Sequence, residues 1–211
     1  RVAVDATPPV QAVRERLRVV VHLPEEVRCG VRDDARGADG DDLLVAGEVR
    51  DSVRTALEAK PDLTESYYLL AQLYAQVPGF PVSFGDDARA VSFGRKALSL
   101  HRKERRVKPY MSVYYDISVV LAEALLERGW SERKRERKID GIRRAYEAAG
   151  TAFEGAAHFE ATSTVAGRSD RAEARALLED VVDRLEAKAE LRLRQQRTLE
   201  EARGVLATTL E

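Results

Sequence analysis

The sequence predicts an all-α fold, built from helical hairpins stacked side by side on a shared core. Three observations lead there. Charged residues make up 34% of the chain and aromatics 6%, with Ala, Leu, Arg and Glu abundant, a balance that suits amphipathic helices better than strands. The 211 residues suffice for one domain or one short array with a sizeable core. The stretch Leu63–Leu100 then places Tyr67, Leu70, Ala71 and Tyr74 on one helical face, breaks at Pro and Gly, and resumes with Ala90, Ala97 and Leu98 on a second. Such a hairpin cannot bury both apolar faces alone and needs neighbours stacked on it.

Taken in order, residues 1–8 read as irregular, with at most a short edge strand. Pro9 to Leu23 fits a helix with Pro in its first turn, although Val19–Val20–Val21 suits a strand equally. Asp33 to Asp42 is an aspartate-rich loop whose spacing does not match an EF-hand, so its last aspartates are read as helix caps. A helix from Asp42 to Lys60 turns Val45, Val49, Val53, Ala56 and Leu57 inward and stops before Pro61. Thr64 caps a helix over Glu65–Gln76, the V-P-G-F-P-V-S insertion interrupts, and Asp86–Leu100 is the partner helix. His101 to Lys108 is a basic connector, and Pro109 opens a helix to Arg128 that ends on Gly129, a good left-handed C-cap. Ser131 caps a helix to about Ala149, Gly150 and Thr151 precede one over Ala152–Thr162, and Ser169 caps one to about Ala187. The last helix, Ala189–Thr209, is charged on most faces, as a terminal cap should be.

The large–small–aromatic spacing of Tyr67, Leu70, Ala71 and Tyr74, followed by Ala90 and Ala97 and preceded by Pro61, resembles a tetratricopeptide repeat. A second, partial match is L-A-E-A-L-L-E-R-G, Leu121 to Gly129; in its partner helix Gly141 falls where the family has alanine. A third lies around Phe159 and Gly167 to Ala176. Ala56 to Ala97 spans 41 residues, against about 34 in the family. The resemblance implies a right-handed α-solenoid of about four hairpins over residues 41–187. A segment 1–40 with one helix and the acidic loop precedes it, and a capping helix, 188–211, follows. It also implies a non-enzymatic scaffold whose concave face, built by the first helix of each unit, binds a protein or peptide partner. Carried over by position, that face offers Glu65, Tyr68, Gln72 and Gln76, then Asp116, Val119, Glu123 and Glu127. This mildly acidic surface favours a basic or amphipathic segment. A looser analogy, of general build, is to the solenoid accessory proteins of spirochaete TRAP-type transporters. It implies instead a ligand-binding accessory of a periplasmic uptake system.

Little in the chain points to chemistry. His22, His101 and His158 are far apart and no H-E-x-x-H or cysteine pair is present, so no metal site is expected. No glycine loop is spaced to cradle a phosphate; Gly94 suits close helix contact instead, and no cofactor is expected. Cys29, the one cysteine, has no neighbouring base in sequence. Phe80 and Phe84 flank the insertion beside Tyr67, Tyr68 and Tyr74, either as anchors for a partner or as a plug folded over the hairpin. Residues 101–144 hold 13 Lys/Arg against 7 acids within a chain of net charge −1. Interleaving at helical spacing reads mainly as a solvated face, with an acidic partner as the alternative. No nucleic-acid partner and no membrane-spanning segment are expected, and an oligomer is open. The chain opens on Arg1 and its one methionine is Met111, so a cytoplasmic location and a periplasmic or lipid-anchored one after loss of a leader are both open.

Overall fold

The computed structural model describes residues 40–79, 83–163 and 167–209, with side chains from Leu44 onward. The readings of residues 1–39, including Cys29, His22 and the acidic loop, lie outside it, as does Phe80. The described residues form eight α-helices, one 3-10 turn and no named strand. The fold is all-α. Among these residues no helix is long and apolar enough to cross a membrane.

Helix α1 (Gly40–Ala59) begins two residues earlier than the sequence suggested. It buries Val49, Val53 and Leu57, whereas Val45 stands exposed in its first turns. Helix α2 (Thr64–Gln76) buries Tyr67, Leu70, Ala71 and Tyr74, as its stripe predicted. Thr64 is its first helical residue rather than its cap, and its hydroxyl donates to Glu104 Oε1 at 2.9 Å. The following loop is pinched shut. Gly85 N donates to Pro78 O at 2.9 Å, and a Cβ on Gly85 would meet Val77 O at 1.8 Å, so only glycine fits.

Helix α3 (Asp87–Val107) starts on Asp86, whose carboxylate accepts from the Ala88 and Arg89 amides. It runs straight through the expected basic connector. Residues 101–107 are good helix formers, and nothing breaks the helix before Pro109. Helix α4 (Asp116–Arg128) is correspondingly shorter than read. The chain from Lys108 to Tyr115 is a turn, tied down where Tyr114 N donates to His101 Nε2 at 3.0 Å. Gly129 ends α4 at φ 57°, the left-handed cap expected of it.

Helices α5 (Glu132–Glu147), α6 (Ala152–Ala157) and the 3-10 turn Phe159–Thr162 follow, then α7 (Asp170–Glu186) and α8 (Leu193–Thr208). Ser131, Thr151 and Ser169 each accept a backbone N–H at the start of α5, α6 and α7.

The packing order departs from chain order at one place. Helices α1, α2, α3 and α4 each pack on the one before, and α7 packs on α4 and α8 on α7. The helix after α4 in sequence, α5, rests instead on α6 and the 3-10 turn, while those two lie against α3. The partner read for the second hairpin, residues 131–149, is therefore not the partner in space. The segment α5–α6–3-10 is an insertion inside that hairpin, and α7 completes it. Gly94 of α3 sets the closeness of α3 to α4, since a Cβ there would meet Leu121 at 3.2 Å.

A buried ionic network holds the insertion. Arg128 donates from Nε and Nη2 to both oxygens of Asp170, at 2.7 and 2.8 Å, and from Nη1 and Nη2 to Glu160, at 2.5 and 2.9 Å. Asp170 also accepts from Arg135 Nε and from Trp130 N. Arg95 grips Glu173 with both terminal nitrogens, at 2.6 and 2.7 Å. The network joins α3, α4, α5, the 3-10 turn and α7, and its three arginines balance three carboxylates. Arg135 is the one residue that α5 buries. The charged positions of α5 are otherwise mostly exposed, as a solvated helix face, while Ile139, Ile142, Ala145 and Tyr146 are half-buried on its inner side.

Candidate functional site

Helices α2 and α4 touch directly, as do α4 and α8, so these three share a face. Side chains at three- and four-residue spacing fall on one side of a helix. Glu65, Tyr68, Gln72 and Gln76 therefore form one stripe on α2, and Asp116, Glu123 and Glu127 one on α4. Glu65, Gln76 and Glu127 are exposed, and Tyr68, Gln72 and Glu123 are half-buried. Val119 departs from this set. It shares their spacing but is 1% exposed and belongs to the core, covered where neighbouring helices pack on α4.

The centre of the face is aromatic. The Tyr68 ring meets the edge of Tyr114 at a centroid distance of 5.3 Å. Arg194 of α8 lies 4.1 Å over the Tyr114 ring and donates from Nε to Asp116 Oδ2 at 2.7 Å. The Thr198 hydroxyl donates to Asp116 Oδ1. Asp116 sits in the first turn of α4, where a negative charge is favoured. Burial raises the Tyr68 phenol above its ordinary range, and the nearby Tyr114, Asp116 and Glu201 add to this. Burial likewise raises Tyr114, against a hydrogen bond from Arg194 that works to lower it. Burial works to lower Arg194, but Asp116 and then Tyr114 outweigh it and hold the guanidinium above its usual value. Both phenols are therefore neutral, Tyr114 accepts from Arg194, and the face carries carboxylates around that one engaged arginine.

Phe84 is not on this face. It packs edge-on against Tyr74 at 5.2 Å with the Arg50 guanidinium 4.6 Å over its ring, in the manner of a plug over the hairpin. Tyr114 and Arg194 are the residues that sequence reasoning missed. Tyr114 was read as part of a helix, and Arg194 lies in a helix whose charge on most faces carries no signal of direction. Among the described residues, no group of three or more His, Cys, Asp or Glu is placed to hold a metal ion.

No protein-family model, no curated protein and no solved structure matches the chain.

Proposed function

We propose that the chain is a non-enzymatic helical-repeat scaffold, of the tetratricopeptide-like type, that captures a basic or amphipathic segment of a protein partner on the face of α2, α4 and α8. In this reading α2–α3 and α4–α7 are successive hairpins of a right-handed solenoid, α1 is the second helix of a preceding unit, and α8 closes the array. The observation that carries it is the packing order. With the α5–α6 insertion set aside, α2 touches α4 and α4 touches α8, which is how first helices line one surface in a repeat array. The Tyr68–Tyr114 pair supplies rigid aromatic contact, and Glu65, Glu123 and Glu127 supply complementary charge.

The test is fluorescence anisotropy with a panel of labelled helical peptides that differ in net charge. Basic amphipathic peptides are expected to bind, and acidic ones of equal hydropathy are not. Tyr68→Ala with Gln72→Ala, and separately Glu65→Lys, should weaken capture at least tenfold with unchanged circular dichroism. Equal binding by wild type and both variants overturns the assignment.

A further inference from the structure

A second surface, which the scaffold reading does not use, lies chiefly between α3 and α7. It is an open cleft of about 1020 Å³, at the large end of the range usual for small-molecule sites. Its wall holds seven Lys/Arg and two carboxylates, Glu173 and Asp180. Both carboxylates are already engaged. Glu173 takes Arg95 and Arg135, and Asp180 takes Arg184.

The remaining four cations are uncompensated. Arg102, Lys103 and Arg106 on the last turns of α3, and Arg168 just before α7, are exposed, line the cleft and form no ion pair among the described residues. Arg105 beside them differs: it is turned to the Met111 carbonyl at 3.4 Å. The buried base of the wall is balanced in charge but not fully hydrogen-bonded. Arg95 and Arg135 are 9% and 3% exposed, and Arg95 Nε and Arg135 Nη1 find no hydrogen-bond acceptor. Arg135 Nη2 approaches Glu173 at 2.8 Å, an ion pair without hydrogen-bond geometry. A protein that buries guanidinium donors without acceptors beside a row of unpaired cations concentrates positive potential at that place.

We propose that this cleft binds a phosphorylated organic molecule bearing more than one negative charge. Arg102 and Arg106, on adjacent turns of α3, have Cβ atoms roughly 5–6 Å apart, so their flexible cationic ends can converge on one or two phosphoryl groups, which concentrate more charge than a lone carboxylate. Guanidinium forks suit phosphate oxygens. Ser99 and Ser163 add hydroxyl groups to the same wall, and Leu98, Phe159 and Leu177 supply an apolar side for the organic part. The insertion makes the site possible, because the 3-10 turn and Arg135 of α5 form one side of it.

The experiment is isothermal titration of the full chain with inorganic tripolyphosphate, and with citrate as a carboxylate of similar charge. Tripolyphosphate should bind one to one, at least tenfold tighter than citrate, and weaken with added salt. Arg102→Glu with Arg106→Glu should lose at least tenfold in affinity, while Arg175→Glu, exposed on α7 outside the cleft, should lose less than twofold. Melting curves of both variants establish that they are folded. Displacement of tripolyphosphate by a phosphoserine peptide supports the site with a protein as the source of phosphate, and its failure supports it with a free phosphorylated molecule. Equal affinity for citrate, or equal loss in Arg175→Glu and the α3 double variant, overturns the proposal. Neither result bears on peptide capture by α2, α4 and α8.

Discussion

Asp170→Asn is the sharpest probe of how the insertion is held. The side chain is 0% exposed and accepts from Arg128 Nε and Nη2, Arg135 Nε and the Trp130 amide. The amide is nearly isosteric, so no cavity forms. What changes is charge: three buried arginines would face two carboxylates, and one carboxylate oxygen would be replaced by an amide NH2, a donor aimed at other donors. Breaking a buried ion pair in this way costs about 3–5 kcal/mol. In a chain of this size 1 kcal/mol moves the melting temperature by roughly 2–4 °C, so a fall on the order of 10 °C is expected. Asp180→Asn is the control, because its pair with Arg184 is exposed on both sides and belongs to α7 alone. Such pairs contribute about 0.5 kcal/mol or less. Denaturation in urea, followed by circular dichroism, measures both. Since α5 buries only Arg135, limited proteolysis of Asp170→Asn should also show early cleavage within residues 131–163. If Asp170→Asn lies within 1 kcal/mol of wild type and is cut no faster than Asp180→Asn, the network is not what fixes the insertion.

Three further outcomes are expected. His101 is held neutral, chiefly by burial and also by Arg105, against Glu104 and Glu65, and its Nε2 accepts the Tyr114 amide. Its folded pKa is lowered, so the unfolded chain takes the proton first. Stability is full above about pH 6.5 and falls as pH drops below that value, which urea melts of wild type and His101→Gln at pH 5 and 7.5 will compare. Gly94→Val should destabilise by about 1–3 kcal/mol through overpacking on Leu121, whereas Gly94→Ala should be nearly neutral because helix propensity returns roughly 1 kcal/mol. Gly85→Ala should lower the melting temperature by several degrees, roughly 2 kcal/mol, as the new methyl must displace the Val77 and Pro78 backbone; an unchanged melt would show that the loop closes differently.

The local signals were legible. Ser131 and Ser169 cap where their positions in sequence suggested, Asp86 caps a helix it was read as belonging to, and Gly129 adopts the left-handed cap. The buried stripe Tyr67, Leu70, Ala71 and Tyr74 reads directly from its spacing. Long-range choices were not legible. The periodicity of residues 132–147 gives α5 a half-buried stripe, Ile139, Ile142 and Tyr146 in line with the buried Arg135, but nothing in it says that this stripe skips α4. The extent of α3 was hidden because Lys and Arg suit a solvated connector and a helix end equally. On the candidate face, the α2 and α4 stripes followed from position within a repeat, but Arg194 and Tyr114 join it only through tertiary packing, and Val119 was misplaced for the same reason.

The insertion also sets a timetable for synthesis. Arg128 and Asp170, the first ionic contact between α4 and α7, are 42 residues apart. At about 5–20 residues per second on the ribosome, α4 emerges roughly 2–8 s before its partner exists. During that interval Leu125, fully buried in the finished molecule, belongs to a helix that has only α2 and α3 to shield it. The hairpin α2–α3 closes without delay, whereas α4 must wait with a bare flank. The apolar flank of α4 is thus bare for as long as residues 131–169 are being made, and a chain halted there exposes Leu125.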